Sequence, residues 1–126
     1  MIVTGLHHYA LRAGAEIIDE CVSFYTSVLN LRIGFRPPFE KRGFWLYAGD
    51  QALLQLEVCE HEELGRGAAR DRLAFACVNL PVAIRRLEDL GIDYTSNHLV
   101  EIDQFQIFLK DPSGLRIELN FSCEKL

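Results

Sequence analysis

Four polar residues border or interrupt apolar stretches of this sequence, namely His8, Gln55, Arg72 and Glu118. Gln55 and Glu118 each stand between two apolar residues. Because the side chains of a β-strand alternate between its two faces, the apolar neighbours are predicted to enter a packed core while the polar side chain points to the other face. Imidazole, amide, guanidinium and carboxylate groups on one concave face could bind a small ligand or a metal ion.

The four residues hold matching positions in an internal repeat. Residues 8–11 match residues 72–75 at an offset of 64, and residues 54–57 match residues 117–120 at an offset of 63. Two nearly equal offsets at opposite ends of a unit indicate a duplication, and two copies are too few for a solenoid. If a pseudo-twofold axis relates the copies, the four side chains are expected to converge on one pocket.

The elements that would position these residues follow from hydrophobic periodicity and from turn residues. The predicted order is strand, helix and three strands, then a polar linker, then the same order again. The predicted ranges are strand 6–12, helix 16–29 and strands 31–36, 44–48 and 52–58, followed by strand 73–78, helix 81–90 and strands 92–95, 105–110 and 115–121.

Helix ends and turns support this division into two βαβββ modules of an α+β fold. Asn30 and Gly91 suit helix C-termini, Pro81 suits the first turn of a helix, and Asp-Pro-Ser-Gly at 111–114 predicts a hairpin turn. The whole chain is predicted as one domain over 1–126, with module one at about 5–58, a linker at 59–71 and module two at about 72–121.

The composition restricts the class of partner. Apolar residues make up 49% of the chain and charged residues 25%, which is ordinary for a globular protein. A net charge of −5 argues against nucleic acid, which needs a basic surface. No apolar run approaches the length that crosses a bilayer, and the N-terminus lacks the pattern of a signal peptide. The four cysteines form no Cys-x-x-Cys motif, so a cytoplasmic protein is expected.

Several segments together resemble the vicinal oxygen chelate superfamily, which contains glyoxalase I, bleomycin- and fosfomycin-resistance proteins, methylmalonyl-CoA epimerase and extradiol dioxygenases. The segments are Leu-His-His-Tyr-Ala-Leu at 6–11, the end of the first helix at 24–31, the stretch 36–47, and Phe-Leu-Lys-Asp-Pro-Ser-Gly-Leu-Arg-Ile-Glu-Leu at 108–119. The resemblance covers nearly the whole chain, and its last segment is the most specific. It implies a glyoxalase-like fold, in which two tandem βαβββ modules form a curved mixed sheet around a pocket.

The same resemblance implies a metal site with one altered position. In that family the first and last strands of each module bind a divalent metal ion. Residue by residue, His8 matches the first ligand, Gln55 the second and Glu118 the last, so the implied cofactor is a divalent ion such as Zn, Ni, Mn or Fe. The third ligand position holds Arg72, which stays protonated, has no lone pair to offer and cannot be a ligand.

Three interpretations of Arg72 remain open. In the first, His8, Gln55 and Glu118 still hold a metal ion, and water and substrate complete an open site. In the second, no metal binds and Arg72 pairs with Glu118 instead. In the third, Arg72 binds a carboxylate or phosphate of the ligand, which its planar guanidinium suits.

Three functions follow from the resemblance. The leading hypothesis is a glyoxalase-like lyase or isomerase acting on a small oxygenated substrate, with Glu118 as metal ligand and candidate general base. The alternative is a metal-free small-molecule binding or resistance protein, which Arg72 favours. An extradiol dioxygenase ranks lower because it uses two histidines and one glutamate, and one of those histidines is missing. Arg72 and Trp45 are expected to contact the ligand, and a homodimer is expected by analogy.

Structural explanations compete with these roles. A buried glutamine needs hydrogen-bond partners, and Gln55 could serve that need alone. Strand alternation predicts that His7 and His8 point to opposite sides, and the repeat selects His8 for the pocket. His61 stands in the polar linker and is expected to be solvated, while His98 is a weak candidate near a predicted strand end.

Overall fold

The computed structural model describes residues 1–2, 4–59 and 72–124. The chain divides into two compact units, Met1–Gly65 (unit 1) and Arg66–Leu126 (unit 2), and each unit builds its own sheet. Most of the predicted linker at 59–71, with His61, lies outside the described residues.

Unit 1 follows the predicted order of strand, helix and three strands. Its elements are β1 (Tyr9–Ala13), α1 (Ala15–Ser27), β2 (Arg32–Gly34), β3 (Gly43–Ala48) and β4 (Gln51–Val58). The strand order across the sheet is β1-β4-β3-β2. β1 runs parallel to β4, and the remaining neighbours are antiparallel.

Unit 2 repeats that topology. Its elements are β5 (Arg72–Cys77), α2 (Leu80–Asp89), β6 (Thr95–Leu99), a short 3-10 helix (Val100–Ile102), β7 (Gln104–Lys110) and β8 (Arg116–Ser122). The strand order is β5-β8-β7-β6, with β5 parallel to β8 and the other pairs antiparallel.

The two sheets also share their register. Tyr9 of β1 lies opposite Leu54 of β4, and Leu73 of β5 lies opposite Ile117 of β8. These pairs are related by the same offsets that reveal the sequence repeat. The prediction of an α+β fold made of two βαβββ modules is therefore confirmed.

Alternation along the last strand of each unit separates an apolar face from a polar one. Leu54 and Leu56 on β4 are each 1% exposed, and Ile117 and Leu119 on β8 are 0% and 4% exposed. In unit 1, helix α1 packs on β1, β3 and β4, and its buried side chains complete the core. The polar residues between these apolar ones are thereby turned to the opposite face of each sheet.

The helix ends agree with the sequence signals. Asn30, just after α1, and Gly91, just after α2, have positive φ angles of 62° and 66°, as the last turn of a helix favours. Pro81 lies in the first turn of α2, and the carboxylate of Glu124 accepts hydrogen bonds from the backbone N–H groups of Asn79 and Leu80 at 2.9 and 2.8 Å. Neither described helix is long and apolar enough to cross a membrane.

One predicted strand is misplaced. The sequence predicts a strand at 92–95, but Ile92 donates its backbone N–H to the Leu87 carbonyl at 2.9 Å and so still belongs to the closing turn of α2. The strand runs instead from Thr95 to Leu99, where the exposed polar residues lack the apolar alternation that would reveal it. The following 3-10 helix was not predicted either, because a single turn leaves no periodic pattern.

Candidate functional site

An ion pair between Arg72 and Glu118 lies on the polar face of the unit 2 sheet. Arg72 is the first residue of β5, and Glu118 lies in β8 opposite Ala74. Arg72 Nη1 donates to Glu118 Oε1 at 3.1 Å. Glu118 is 9% exposed, whereas 53% of the Arg72 side chain is exposed. A largely buried carboxylate is thus neutralised by a half-exposed guanidinium.

Two amides bind the other oxygen of this carboxylate. Gln106 Nε2 and Asn120 Nδ2 donate to Glu118 Oε2 at 3.2 and 2.8 Å. Gln106 on β7 lies opposite Asn120 on β8, and Asn97 Nδ2 donates to Gln106 Oε1 at 3.3 Å. Both oxygens of Glu118 therefore accept hydrogen bonds, and we call Arg72, Gln106, Glu118 and Asn120 the carboxylate network.

The carboxylate network does not fit a divalent metal ion. A metal ligand must offer a lone pair, and a guanidinium has none. An ion bound to Glu118 would displace Arg72 from Oε1 and then lie beside its positive charge, which repels it. Within residues 1–2, 4–59 and 72–124, no three His, Cys, Asp or Glu side chains gather into a group that could hold an ion. The one metal ligand that the resemblance implies in unit 2 is the Glu118 carboxylate, and its charge is already compensated by Arg72.

The polar face of the unit 1 sheet carries a pocket of about 210 Å³. Gln55 on β4 lies between Ala10 of β1 and Trp45 of β3, and all three residues line the pocket. Trp45 is the single tryptophan of the chain. The structure therefore brings together Trp45 and Gln55, two of the residues that the sequence nominates.

Two arginines with different surroundings line this pocket. Arg12 Nε pairs with Glu57 Oε2 at 3.1 Å. The Arg36 guanidinium carbon lies 4.9 Å from the centroid of the Phe39 ring, within cation–π distance. Arg36 has no ion pair with any described carboxylate, and its Nε is buried without a hydrogen-bond partner. Among residues 1–2, 4–59 and 72–124, the charge of Arg12 is thus compensated by a carboxylate and that of Arg36 is not.

Gly43 makes room for the Arg36 guanidinium. A Cβ atom at position 43 would lie 2.8 Å from Nη2 and 2.9 Å from Cζ of Arg36. In the two sheets, Gly43 lies opposite Glu57, and Gln106 lies opposite Asn120. At this shared position, the glycine of unit 1 leaves space for Arg36 from the loop between β2 and β3. The glutamine of unit 2 instead donates a hydrogen bond to Glu118.

His8 lies outside the strands. β1 begins at Tyr9, and the exposed His8 places its Nδ1 atom 2.9 Å from Nδ1 of His7, with ring centroids 5.2 Å apart. The prediction that the two rings point to opposite sides is wrong, because alternation holds only within a strand. His8 is not among the residues that line the pocket of Gln55 and Trp45.

The nominated residues therefore meet in part. Arg72 meets Glu118 in unit 2, as one interpretation of the sequence predicts. The expectation that His8, Gln55, Arg72 and Glu118 face one pocket joins residues of both units and stays a prediction.

Sequence reasoning missed several residues of these two sites. Asn120 and Gln106 could have been found, because each holds a polar position that alternates with apolar ones along β8 and β7. No sequence pattern singles out Arg36 or Phe39, which lie in the loop between β2 and β3. Periodicity says nothing about the conformation of such a loop.

Comparison with known proteins places the chain in a family. No protein-family model matches the sequence. Glyoxylase I 4 of Arabidopsis thaliana is 30% identical to it over 132 residues, which cover 98% of this chain and 74% of the relative.

Two crystal structures share the fold. A glyoxylase/bleomycin resistance protein/dioxygenase domain from a Frankia species matches with a TM-score of 0.75 at 16% identity, covering 96% of this chain and 99% of that one. An antibiotic binding protein from a Streptomyces species matches with a TM-score of 0.70 at 14% identity, covering 97% and 98%. At these identities the two structures support the fold alone.

Sequence and architecture therefore agree. The relative extends over nearly the whole chain, and both units show the βαβββ module with the same strand order. The chain belongs to the vicinal oxygen chelate superfamily, the group of the glyoxalases, bleomycin-resistance proteins and ring-cleaving dioxygenases.

Proposed function

We propose that this chain is a small-molecule binding protein that works without a metal ion. The observation that carries the proposal is the state of Glu118, which stands at the family's last ligand position. Its carboxylate is bound by Arg72, Gln106 and Asn120. The half-exposed Arg72 pair should contribute about 0.5–1 kcal/mol and each amide hydrogen bond to the charged group about 1.5 kcal/mol, so a metal ion at Glu118 would first have to replace these interactions.

Each polar face, taken by itself, offers side chains that could bind a ligand. In unit 1, Trp45 and Gln55 offer an aromatic surface and an amide to the pocket. In unit 2, one nitrogen of Arg72 bonds Glu118, and 53% of the side chain is exposed. The remaining N–H donors of that guanidinium could bind a carboxylate or a phosphate of the ligand. The antibiotic binding protein of the same fold is consistent with such a role.

Calorimetric titration with Zn, Ni, Mn and Fe ions tests the proposal. The wild type is expected to bind none of them stoichiometrically. Arg72→His supplies an imidazole at the third ligand position and is expected to gain metal affinity. Arg72→Leu is the matched control, since it releases Glu118 without adding a group that can bind the ion, and it should gain less. A wild type that binds one equivalent of metal, and loses it in Glu118→Ala, would show that the proposal is wrong.

A second candidate is the metal-dependent lyase or isomerase, which the 30% identity to Glyoxylase I 4 favours. In that case His8, Gln55 and Glu118 would hold Zn, Ni, Mn or Fe, and the ion would supply Lewis acidity. This candidate requires Arg72 to leave Glu118. It predicts that His8→Ala and Glu118→Ala both lower the metal content of the protein, whereas His98→Ala, at a histidine that bonds Asp103 instead, does not.

The family resemblance extends the proposal to assembly and location. We expect a homodimer in the cytoplasm, by analogy with family members of this size. Light scattering at micromolar concentration should give twice the mass of the chain. A monomer mass at that concentration would contradict the expected dimer and leave the ligand proposal in place.

A further inference from the structure

Arg36 is a cation that no carboxylate of the described residues pairs, in an acidic protein. The net charge is −5, and Arg12, Arg42 and Arg72 each pair with a carboxylate. Arg36 pairs with none of the described carboxylates, and its buried Nε–H has no acceptor within the part of the chain that the structure describes. Arg36 lines the pocket, so an anion that enters the pocket from solution would compensate the charge of its guanidinium.

The guanidinium of Arg36 is held in place before any ligand binds. It occupies the space that Gly43 leaves by lacking a Cβ, and it lies 4.9 Å from the Phe39 ring centroid. A charged group that is already fixed loses little conformational entropy when a ligand binds to it. The side chain is therefore arranged as a binding group rather than as a solvated surface cation.

Aromatic surfaces flank this cation. The Phe39 residue is 54% exposed, and its ring centroid lies 6.2 Å from that of Trp45 at an interplanar angle of 43°. Both residues line the pocket of about 210 Å³. Pockets for drug-sized ligands occupy roughly 300–1,000 Å³, so the space suits a group the size of one ring.

We propose that the pocket of unit 1 binds a planar, single-ring carboxylate, with the carboxylate on Arg36 and the ring against Phe39 and Trp45. The proposal deepens the proposed function, because it rests on the chain being a small-molecule binder and names the class of ligand. Arg12 is already paired with Glu57, so of the described residues that line the pocket Arg36 alone carries a positive charge without a carboxylate partner. That charge matches a monoanionic carboxylate better than a dianionic phosphate.

Titration with benzoate tests this proposal through the emission of Trp45, the single tryptophan, excited at the red edge of its absorption band. Benzoate is expected to give a saturable change at millimolar concentration that weakens as ionic strength rises. Benzamide keeps the ring without the charge, and acetate keeps the charge without the ring. Both are expected to bind at least about tenfold more weakly.

Variants assign the effect to Arg36. Arg36→Gln is expected to weaken benzoate at least about tenfold, and Phe39→Leu to weaken it less. Arg32→Gln is the matched control, because Arg32 also lies over an aromatic ring, at 5.4 Å from the Tyr47 centroid, but outside the pocket. If Arg36→Gln does not fold, Arg36→Lys keeps the charge, loses the planar pair of donors, and should still bind more weakly than wild type.

Two results would overturn the inference. The first is a wild type whose fluorescence does not respond to benzoate. The second is a wild type that binds benzoate no more tightly than benzamide, together with an Arg36→Gln variant that binds benzoate as tightly as the wild type does. Metal content measured on the same preparations separates this failure from failure of the proposed function. A protein that holds stoichiometric metal contradicts the proposed metal-free function. A metal-free protein that does not bind benzoate contradicts only the proposal that the ligand is a single-ring carboxylate.

Discussion

Gly43 in unit 1 and Gln106 in unit 2 occupy the same place in two sheets of the same topology and register. Beside Gly43 lies the guanidinium of Arg36, which has no carboxylate partner among the described residues and borders a pocket. Beside Gln106 lies Glu118, whose two oxygens are bound by three donors. The polar face of unit 1 thus carries a pocket with a cation that no described carboxylate pairs, whereas on the polar face of unit 2 the carboxylate is held by hydrogen bonds from its own unit.

The comparison teaches that a duplicated fold does not fix the chemistry of its two faces. Backbone pairing sets the position of each polar side chain on its sheet. The residue types at a few matching positions then determine whether that face carries a pocket, as in unit 1, or a hydrogen-bonded carboxylate network, as in unit 2. A small residue at position 43 leaves space for a loop cation, while the amide at position 106 reaches the neighbouring carboxylate. Substitutions at these positions should therefore act differently in the two units.

The largest expected effect is that of Gly43→Ala. A new Cβ would collide with the Leu56 carbonyl oxygen and press on the Arg36 guanidinium. Overpacking against a backbone atom should lower the free energy of unfolding by about 3 kcal/mol, as measured by urea denaturation. Gln106→Ala creates the same residue at the matching position and should cost about 1 kcal/mol, for the loss of the part-buried hydrogen bond to Glu118 and the exposed one from Asn97. Equal losses in the two variants would contradict the proposed difference between the units.

A smaller effect is expected for Glu118→Ala. The change leaves the amides of Gln106 and Asn120 without their acceptor, and loss of a buried acceptor should cost about 2 kcal/mol in chemical denaturation. Gln55→Ala is the matched change in unit 1, where the Gln55 side chain forms no hydrogen bond to another described residue, and should cost less than about 1 kcal/mol. A Glu118→Ala protein as stable as Gln55→Ala would mean that the carboxylate network contributes nothing.

The smallest effect concerns Cys77 on β5. Burial, the largest cause, and the negative charge of Glu124 raise the pKa of this thiol above 9.0, against a smaller lowering by the backbone of Asn120. Above pH 9 the unfolded chain therefore loses this proton before the folded protein does, and stability falls as pH rises.

The loss from Cys77 should stay below about 0.5 kcal/mol, since the thiol is only partly shielded from water. Cys77→Ala introduces the residue found at the matching Ala13 of unit 1 and should reduce the decline in melting temperature above pH 9. An identical decline in both proteins would show that the thiol is not shielded.

Much of the fold could be predicted from the sequence. Two copies that share the same strand pairing keep corresponding residues at a constant offset, and a strand with one buried face alternates apolar and polar residues. The pairs Tyr9–Leu54 and Leu73–Ile117 reproduce the offsets read from the sequence. The polar strand Thr95–Leu99 could not be predicted, since its side chains are largely exposed and leave no apolar pattern.

The candidate site could be predicted only in part. Arg72 and Glu118 could be paired in advance, since both positions follow from the repeat and opposite charges attract. Arg36 could not, because its place depends on a loop conformation and on the space left by Gly43. Such contacts are set by tertiary packing, which hydrophobic periodicity does not encode.

The central claim is that the guanidinium of Arg72 occupies the carboxylate of Glu118, and a double-mutant cycle measures that interaction directly. The cycle compares the free energies of unfolding of wild type, Arg72→Gln, Glu118→Gln and the double variant. Because 53% of the Arg72 side chain is exposed, we predict a favourable coupling of about 0.5–1 kcal/mol that shrinks at high salt. A coupling of zero at low salt would contradict the account, since Oε1 of the carboxylate would then be open to a metal ion.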